Sequence, residues 1–270
     1  MTEADFNTDS DTNLAEEFLR QGYVIVPTEN ADGLQRIQGL VADLAAIHLA
    51  IERPNDATEF LNDIDQHVKV EGLNALRLAV ISGIRNEAWF RPTYYQLAKN
   101  AIEQIVGNEL AMQRGMGLSV QLPKDDSSLL PVHADVWDGD SPYEVVMWIP
   151  LVDCYKTKAM YLMPPDKDRD FQKEMANFKD ASAEDIFNAI KEDVDYIEIP
   201  FGSILLFSQT LMHGNRLNVE SETRWSMNCR FKSLLSPYAD KKLGEFFEPL
   251  SIKPATRLGM AYDLPRGFDD

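Results

Sequence analysis

Two histidines, one aspartate and one arginine stand at spacings that could build a reactive centre. His133-Ala-Asp135 ends a run read as a strand, where positions i and i+2 share a face, so an imidazole and a carboxylate can grip one ion together. Alone this frame is weak, because 44 acidic residues and four histidines in 270 positions produce it by accident roughly 0.65 times per chain. His213 supplies a third ligand type, 78 residues beyond Asp135 and just after an apolar run, Ser203-Ile-Leu-Leu-Phe207. Two imidazoles and one carboxylate, with the opposite face open, form the ligand set of a non-haem Fe(II) site. Zinc is the rival metal on ligand type.

Arg224, 11 residues beyond His213, separates the possible chemistries. A chelating α-keto acid needs a cationic anchor for its far carboxylate, and a guanidinium offers a permanently charged, planar, bidentate fork. Around it the chain alternates. Arg224, Ser226, Asn228 and Arg230 share one face, whereas Trp225, Met227, Cys229 and Phe231 share the other, so one side can line a site while the other packs against helices. A non-oxidative, cupin-like metal protein, an isomerase or a ligand-binding sensor, is the alternative; it uses the same His/Asp set but has no need of Arg224.

Trp137, Glu144, Asn215 and Arg230 are read as substrate-side residues, with an ion pair to one of the many acids an equal reading for Arg230. Ser119 and Gln121 fit a solvated strand face as well as a pocket wall. His48 and His67 receive no role, and Trp148 and Phe207 are read as core.

These residues need a scaffold. Residues 1–111 read as mostly helical: Asn13 and Glu16 form a capping-box-like start, Gly22 a stop, and Tyr23–Val26 a short strand. Leu34, Ile37, Val41, Leu44, His48 and Ile51 follow at spacings of three and four, one face of a long helix. Further helices are expected over 56–66, 71–86 and 93–106. From 112 to 236 short strands are expected at Met116–Leu122, Val132–Val136, Tyr143–Val152, Lys158–Met163, Tyr196–Ile199, Ser203–Phe207 and Thr223–Lys232. Their number and turn-rich spacing indicate a double-sheet jelly roll rather than βαβ units. A charged insertion over 166–193, with a helix opened by Ser182 and Asp185, interrupts them and could be a lid; 237–270 reads as a tail. One domain over 1–270 is expected, mainly β, with N-terminal helices packed on the core.

Composition is ordinary for a globular chain: 44% hydrophobic and 26% charged. A net charge of −18 disfavours nucleic acid and anionic membrane surfaces as partners. It does not exclude a small anionic ligand, which one buried arginine can hold. Two cysteines, Cys154 and Cys229, form no metal or redox pair, and the start MTEADFNTDSDTN lacks the basic and apolar segments of a signal peptide, so a cytoplasmic protein is expected.

Together His133-x-Asp135, His213 and Arg224-x-Ser226 resemble the Fe(II)/2-oxoglutarate-dependent oxygenases. EFLRQGYVIVP at 17–27 is similar to the opening of the phytanoyl-CoA-hydroxylase-like branch. SSLLPVHAD at 127–135, SPYEVVMWIPLVDCY at 141–155 and His213-Gly-Asn215 resemble bacterial oxygenases of carbohydrate or surface-polysaccharide biosynthesis clusters. The resemblance runs from about Phe18 to Pro265. It implies a double-stranded β-helix core in which His133, Asp135 and His213 hold Fe(II), with 2-oxoglutarate and O2 as cosubstrates. Arg224 and Ser226 would bind the far carboxylate, with Gln121 and Lys158 as further contacts. The activity implied is oxidation of a small molecule coupled to decarboxylation of the keto acid to succinate, hydroxylation by default. A carbohydrate or sugar-derived metabolite is the substrate class that the narrower resemblance implies.

Overall fold

The computed structural model describes residues 8–52 and 55–263, so the first seven residues of the acidic N-terminal stretch and the last seven of the chain lie outside the described residues. The N-terminal part holds helices α1 (Asp9–Gln21), α2 (Ala31–Leu49), α3 (Ala57–Asn62), α4 (Val70–Arg85), α5 (Phe90–Gln96) and α6 (Lys99–Ile105), with strand β1 (Tyr23–Pro27) between the first two. The expected capping box lies one turn earlier than Asn13 and Glu16. The Thr8 hydroxyl accepts from the Asp11 N–H at 3.2 Å, and the Asp11 carboxylate accepts from the Thr8 N–H at 3.1 Å. α2 stops at Leu49 because Ala50 turns left-handed, φ 56°, which leaves His48 exposed rather than in the apolar stripe. The helix expected over 93–106 is two helices; the Glu29 carboxylate accepts the Asn100 and Ala101 N–H groups and so starts α6 afresh.

Strands β2 (Leu110–Gln113), β3 (Gly117–Gln121), β4 (Glu144–Pro150), β7 (Ser203–Ser208), β9 (Arg224–Ser233) and β10 (Phe247–Ser251) join β1 in a seven-stranded sheet. Its order is β1-β7-β4-β9-β2-β10, with β3 also paired to β9. β5 (Met160–Leu162), β6 (Asp195–Ile197) and β8 (His213–Asn215) form a smaller sheet ordered β6-β5-β8. The double-sheet expectation holds, with two corrections to its boundaries. Residues 247–251, expected in a tail, form the strand β10 against β2, and Val132–Val136, expected as a strand, shrinks to one bridge between His133 and His213. The chain leaves the sheet there because Asp135–Asp138 winds into a 3-10 turn that ends at Gly139, φ 83°. In the C-terminal segment α9 (Pro254–Met260) follows β10.

Strand periodicity separates two interiors. Val145, Met147 and Ile149 of β4, Ile204 and Leu206 of β7, and Trp225, Met227, Cys229 and Phe231 of β9 pack with the helices around Leu34, Ile37, Leu76 and Val80. Buried polar bonds stitch that interface: Gln38 Nε2 donates to the Leu151 carbonyl at 2.7 Å, Tyr94 Oη to Met147 at 2.8 Å and Trp225 Nε1 to Leu61 at 2.8 Å. The alternate residues, Val146 and Trp148, Leu205 and Phe207, point between the sheets and meet Met160, Leu162 and Ile197.

The charged insertion carries α7 (Pro165–Lys173) and α8 (Ala183–Ile190). Phe187 and Ile190 pack on Tyr161, Val132, Ala134 and Met212, behind the smaller sheet. Asp168 accepts the Met212 N–H at 2.9 Å, which ties α7 to the residue before His213. The insertion is thus a backing for the His213 strand and gives no residue to the cavity wall described below. Among the described residues no helix is long and apolar enough to cross a membrane.

Candidate metal centre

His133, Asp135 and His213 come together with their candidate ligand atoms all within 4.8 Å of one another. Two strands and a turn achieve this. Reciprocal backbone bonds between His133 and His213, 3.0 and 2.8 Å, hold the two histidines side by side with ring centroids 4.3 Å apart. Extended Ala134 then delivers Asp135, whose Oδ1 lies 3.6 Å from His133 Nε2. Each imidazole is aimed by its far nitrogen: Nδ1 of His133 donates to the Pro131 carbonyl at 2.8 Å and Nδ1 of His213 to Leu211 at 2.9 Å. That leaves each Nε2 lone pair for an ion, the usual way a protein orients a metal-binding histidine.

The electrostatics suit a cation. Burial pushes His213 down to about 4, with the neighbouring His133 adding to the effect, so it is neutral at ordinary pH. Burial also pulls on His133, but the Asp135 carboxylate and the Pro131 carbonyl outweigh it and hold this imidazole above its ordinary value. Asp135 is buried too. The His133 imidazole beside it and the nearby cationic Arg230 nevertheless keep its carboxyl well below the usual range, as an anionic ligand requires.

The trio opens onto a cavity of about 250 Å³ between the sheets. Arg224, Ser226, Asn228 and Arg230 of β9 form one wall, Val146 and Trp148 of β4 with Phe207 and Met160 another, and Ser119, Leu130 and Asn215 complete it. Arg224 is only 4% exposed, yet its one hydrogen-bond partner among the described residues is Ser119 Oγ, 3.1 Å from Nη2. Its Nε and the Ser226 hydroxyl are buried without partners among the described residues. A buried cation with no counter-ion costs several kcal/mol, and burial lowers the Arg224 pKa from its ordinary value for that reason. An incoming carboxylate would satisfy the guanidinium and the hydroxyl at once.

Of the residues singled out in the sequence, His133, Asp135, His213, Arg224, Ser226, Asn215 and Arg230 line this cavity; Gln121 and Trp137 do not. Gln121 is turned away, donating to the Arg216 carbonyl at 2.8 Å and accepting from Asn215 Nδ2 at 3.3 Å, so its amide is spent on the loop. Trp137 is 41% exposed on the 3-10 turn after Asp135. Lys158 is buried against Glu222, 2.8 Å, and Asn62, 2.7 Å, away from the wall. Arg230, read as substrate-side, instead places Nη2 2.9 Å from Asp135 Oδ1. Trp148 and Phe207, read as core, reach the cavity as well, because the intersheet cluster is its wall. Gln209, fully buried in the turn after β7, escaped sequence reasoning, and Asn228 was given no role beyond its strand face. The alternation of β9 placed Asn228 on the polar face, but only the pairing of Asn228 with Trp148 shows that this face is enclosed.

Glu144 sits behind the wall. Its carboxyl is pushed up from 4.5 to about 7 by burial, with neighbouring Asp140 adding to the effect. The folded chain therefore holds this proton more tightly than the unfolded chain: the group's stabilising contribution is complete below about pH 4.5 and lost as pH rises through about 7. Glu144→Gln is expected to lack that decline, read as the difference between pH–Tm profiles of the two proteins; parallel profiles would assign the decline to another group.

No family model matches the chain, and no curated protein matches it. Solved structures do. HygX from Streptomyces hygroscopicus, with nickel and 2-oxoglutarate bound, is similar at TM-score 0.56 and 12% identity over 88% of this chain and 90% of that one. The non-heme monooxygenase ThoJ in its nickel complex gives 0.55 and 14% over 90% and 85%. The non-heme alpha-ketoglutarate-dependent epimerase SnoN from nogalamycin biosynthesis gives 0.51 and 14% over 97% and 92%. The fold of this chain is therefore the jelly roll of these non-heme proteins, with His133, Asp135, His213 and Arg224 on the wall of one cavity.

Proposed function

We propose that this chain is an Fe(II)- and 2-oxoglutarate-dependent oxygenase acting on a small molecule. The observation that carries the reading is Arg224. A guanidinium buried without a counter-ion among the described residues, beside a Ser226 hydroxyl likewise unpartnered, lies on the same wall as a His-Asp-His cluster. A zinc isomerase or a sensor would leave that cation unexplained. The neighbours' own descriptions, HygX with 2-oxoglutarate and SnoN as alpha-ketoglutarate-dependent, support the keto acid. His133, Asp135 and His213 would hold the iron, which when bound with the keto acid and O2 supplies the oxidising power.

The chain's own residues do the rest. Arg224 and Ser226 bind and orient the far carboxylate of the keto acid, fixing its reactive end toward the His-Asp-His cluster. Val146, Trp148, Met160 and Phe207 keep the space between the sheets apolar and exclude water from it. Hydroxylation of a carbohydrate or sugar-derived metabolite is the reaction proposed, in the cytoplasm, where two buried unpaired cysteines are at home. Since the epimerase SnoN shares the fold, product mass separates the outcomes: an added oxygen for hydroxylation, an isomer of unchanged mass for epimerisation.

The test is anaerobic reconstitution. Fe(II) and 2-oxoglutarate together are expected to give a weak visible charge-transfer band absent with either alone, and air should then yield succinate slowly without substrate. No band, with zinc bound stoichiometrically instead, would sink the oxygenase reading.

A further inference from the structure

We infer that Arg230 is a positioning residue for the metal-binding carboxylate of Asp135, locked in that role by Gln209 and Glu144, and not a contact for substrate. The inference rests on the metal-site reading above. Asp135 stands on a four-residue 3-10 turn, with no strand partner of its own. The two histidines are aimed by backbone carbonyls through Nδ1, but the only hydrogen bond to the Asp135 side chain among the described residues is Arg230 Nη2 to Oδ1, 2.9 Å.

Arg230 is itself held on every edge of its fork. Nε donates to Gln209 Oε1 at 2.5 Å, Nη1 reaches Gln113 Oε1 at 3.3 Å, and Nε lies 3.4 Å from Asp140 Oδ1. Gln209 is fully buried in the turn after β7, and its orientation is determined: its carbonyl faces the arginine donor, so its amide N–H faces Glu144 Oε2, 2.5 Å away. The other Glu144 oxygen accepts the Ser141 N–H at 3.0 Å, and Asp140 is paired in turn with Lys241. One chain of hydrogen bonds, Glu144 to Gln209 to Arg230 to Asp135, thus joins β4, the turn after β7, β9 and the 3-10 turn. With Asp135 and Asp140 both on its guanidinium, Arg230 has no charge left over for an anionic substrate. Arg224, six residues earlier on the same strand face, is the opposite case: a cation without an acid among the described residues.

Outer partners of metal ligands typically carry about 10–100-fold in metal affinity. Ni(II) binding, measured by calorimetry without keto acid or substrate at a temperature well below Tm, isolates this role. Arg230→Gln is expected to weaken Ni(II) by about 10–100-fold. Arg230→Lys should recover part of the loss, since it keeps the charge but not the fork. Gln209→Leu, which leaves the carboxylate contact in place and loosens what holds it, should weaken Ni(II) in the same direction by less. A purely structural role would move Tm while leaving the affinity of the folded protein unchanged. Wild-type Ni(II) affinity in folded Arg230→Gln overturns the inference, as does wild-type affinity in Gln209→Leu should the first variant not fold. A wild-type protein that binds no Ni(II) would instead sink the metal-site reading on which it rests.

Discussion

Arg224→Ala is expected to weaken 2-oxoglutarate binding by about 10²–10³-fold while leaving metal binding in place. The proposed anchor rests on what is left unmet there: among the described residues Nε of Arg224 and the Ser226 hydroxyl are buried with nothing to bond, and Arg224 Nη2 has only a neutral hydroxyl. The bidentate, charge-assisted contact that a carboxylate would make is among the stronger polar interactions available to a protein. Lysine at 224 should give an intermediate affinity, because it supplies the charge at one point without the fork. A second consequence has the opposite sign. In the absence of ligands Arg224→Met should raise stability by about 1 kcal/mol or more, since it replaces an uncompensated buried cation by an apolar side chain of similar length. Titration of the charge-transfer band and urea unfolding of the ligand-free proteins read the two effects. Wild-type keto-acid affinity in Arg224→Ala would refute the anchor.

His213→Ala is expected to eliminate specific metal binding, a loss well beyond the roughly 10–100-fold typical of removing an outer partner, and with it succinate formation. The reason is the geometry of the cluster. His213 is buried and shares paired backbone bonds with His133, so no other donor among the described residues can take its place without moving the strand. Its imidazole, pushed to about 4 by burial, is neutral and ready across ordinary pH. His133, held above its ordinary value against the pull of burial, is where protons would compete with a bound ion. Acidification through the His133 titration should therefore weaken Ni(II) binding in the wild type with about one proton taken up per ion released. Tight Ni(II) binding in folded His213→Ala would show that the ion sits elsewhere.

Much of this site was legible in the sequence because strands write their two environments into alternate residues. In β9 the apolar series Trp225, Met227, Cys229, Phe231 packs on the helices and the polar series Arg224, Ser226, Asn228, Arg230 lines the cavity, as the period of two requires. The same alternation in β4 was hidden, since all seven of its residues are buried and, after Glu144 at its start, both series are apolar. Trp148 thus read as core, although it faces the cavity from the Asn228 position of the neighbouring strand. The strand holding His213 was invisible for a different reason. Three residues carry no periodicity, and it is a strand only because β5 and His133 pair with it.

What the sequence by itself determined is the set of reactive residue types, their order along the chain, the helical layer and the short-strand core. These follow from local chemistry: ligand types, caps, turns and hydrophobic period. Only the tertiary structure decided which acid Arg230 would meet among 44 acidic residues, that Gln121 would turn to the Arg216 carbonyl, and that Arg224 would meet no acid among the described residues. Such pairings are set by strand register and by segments distant in sequence. A buried charge is defined by its neighbours: the spacing from His213 singled out Arg224 as the anchor, but whether Arg230 met substrate or one of the acids was open until the fold placed Asp135 beside it.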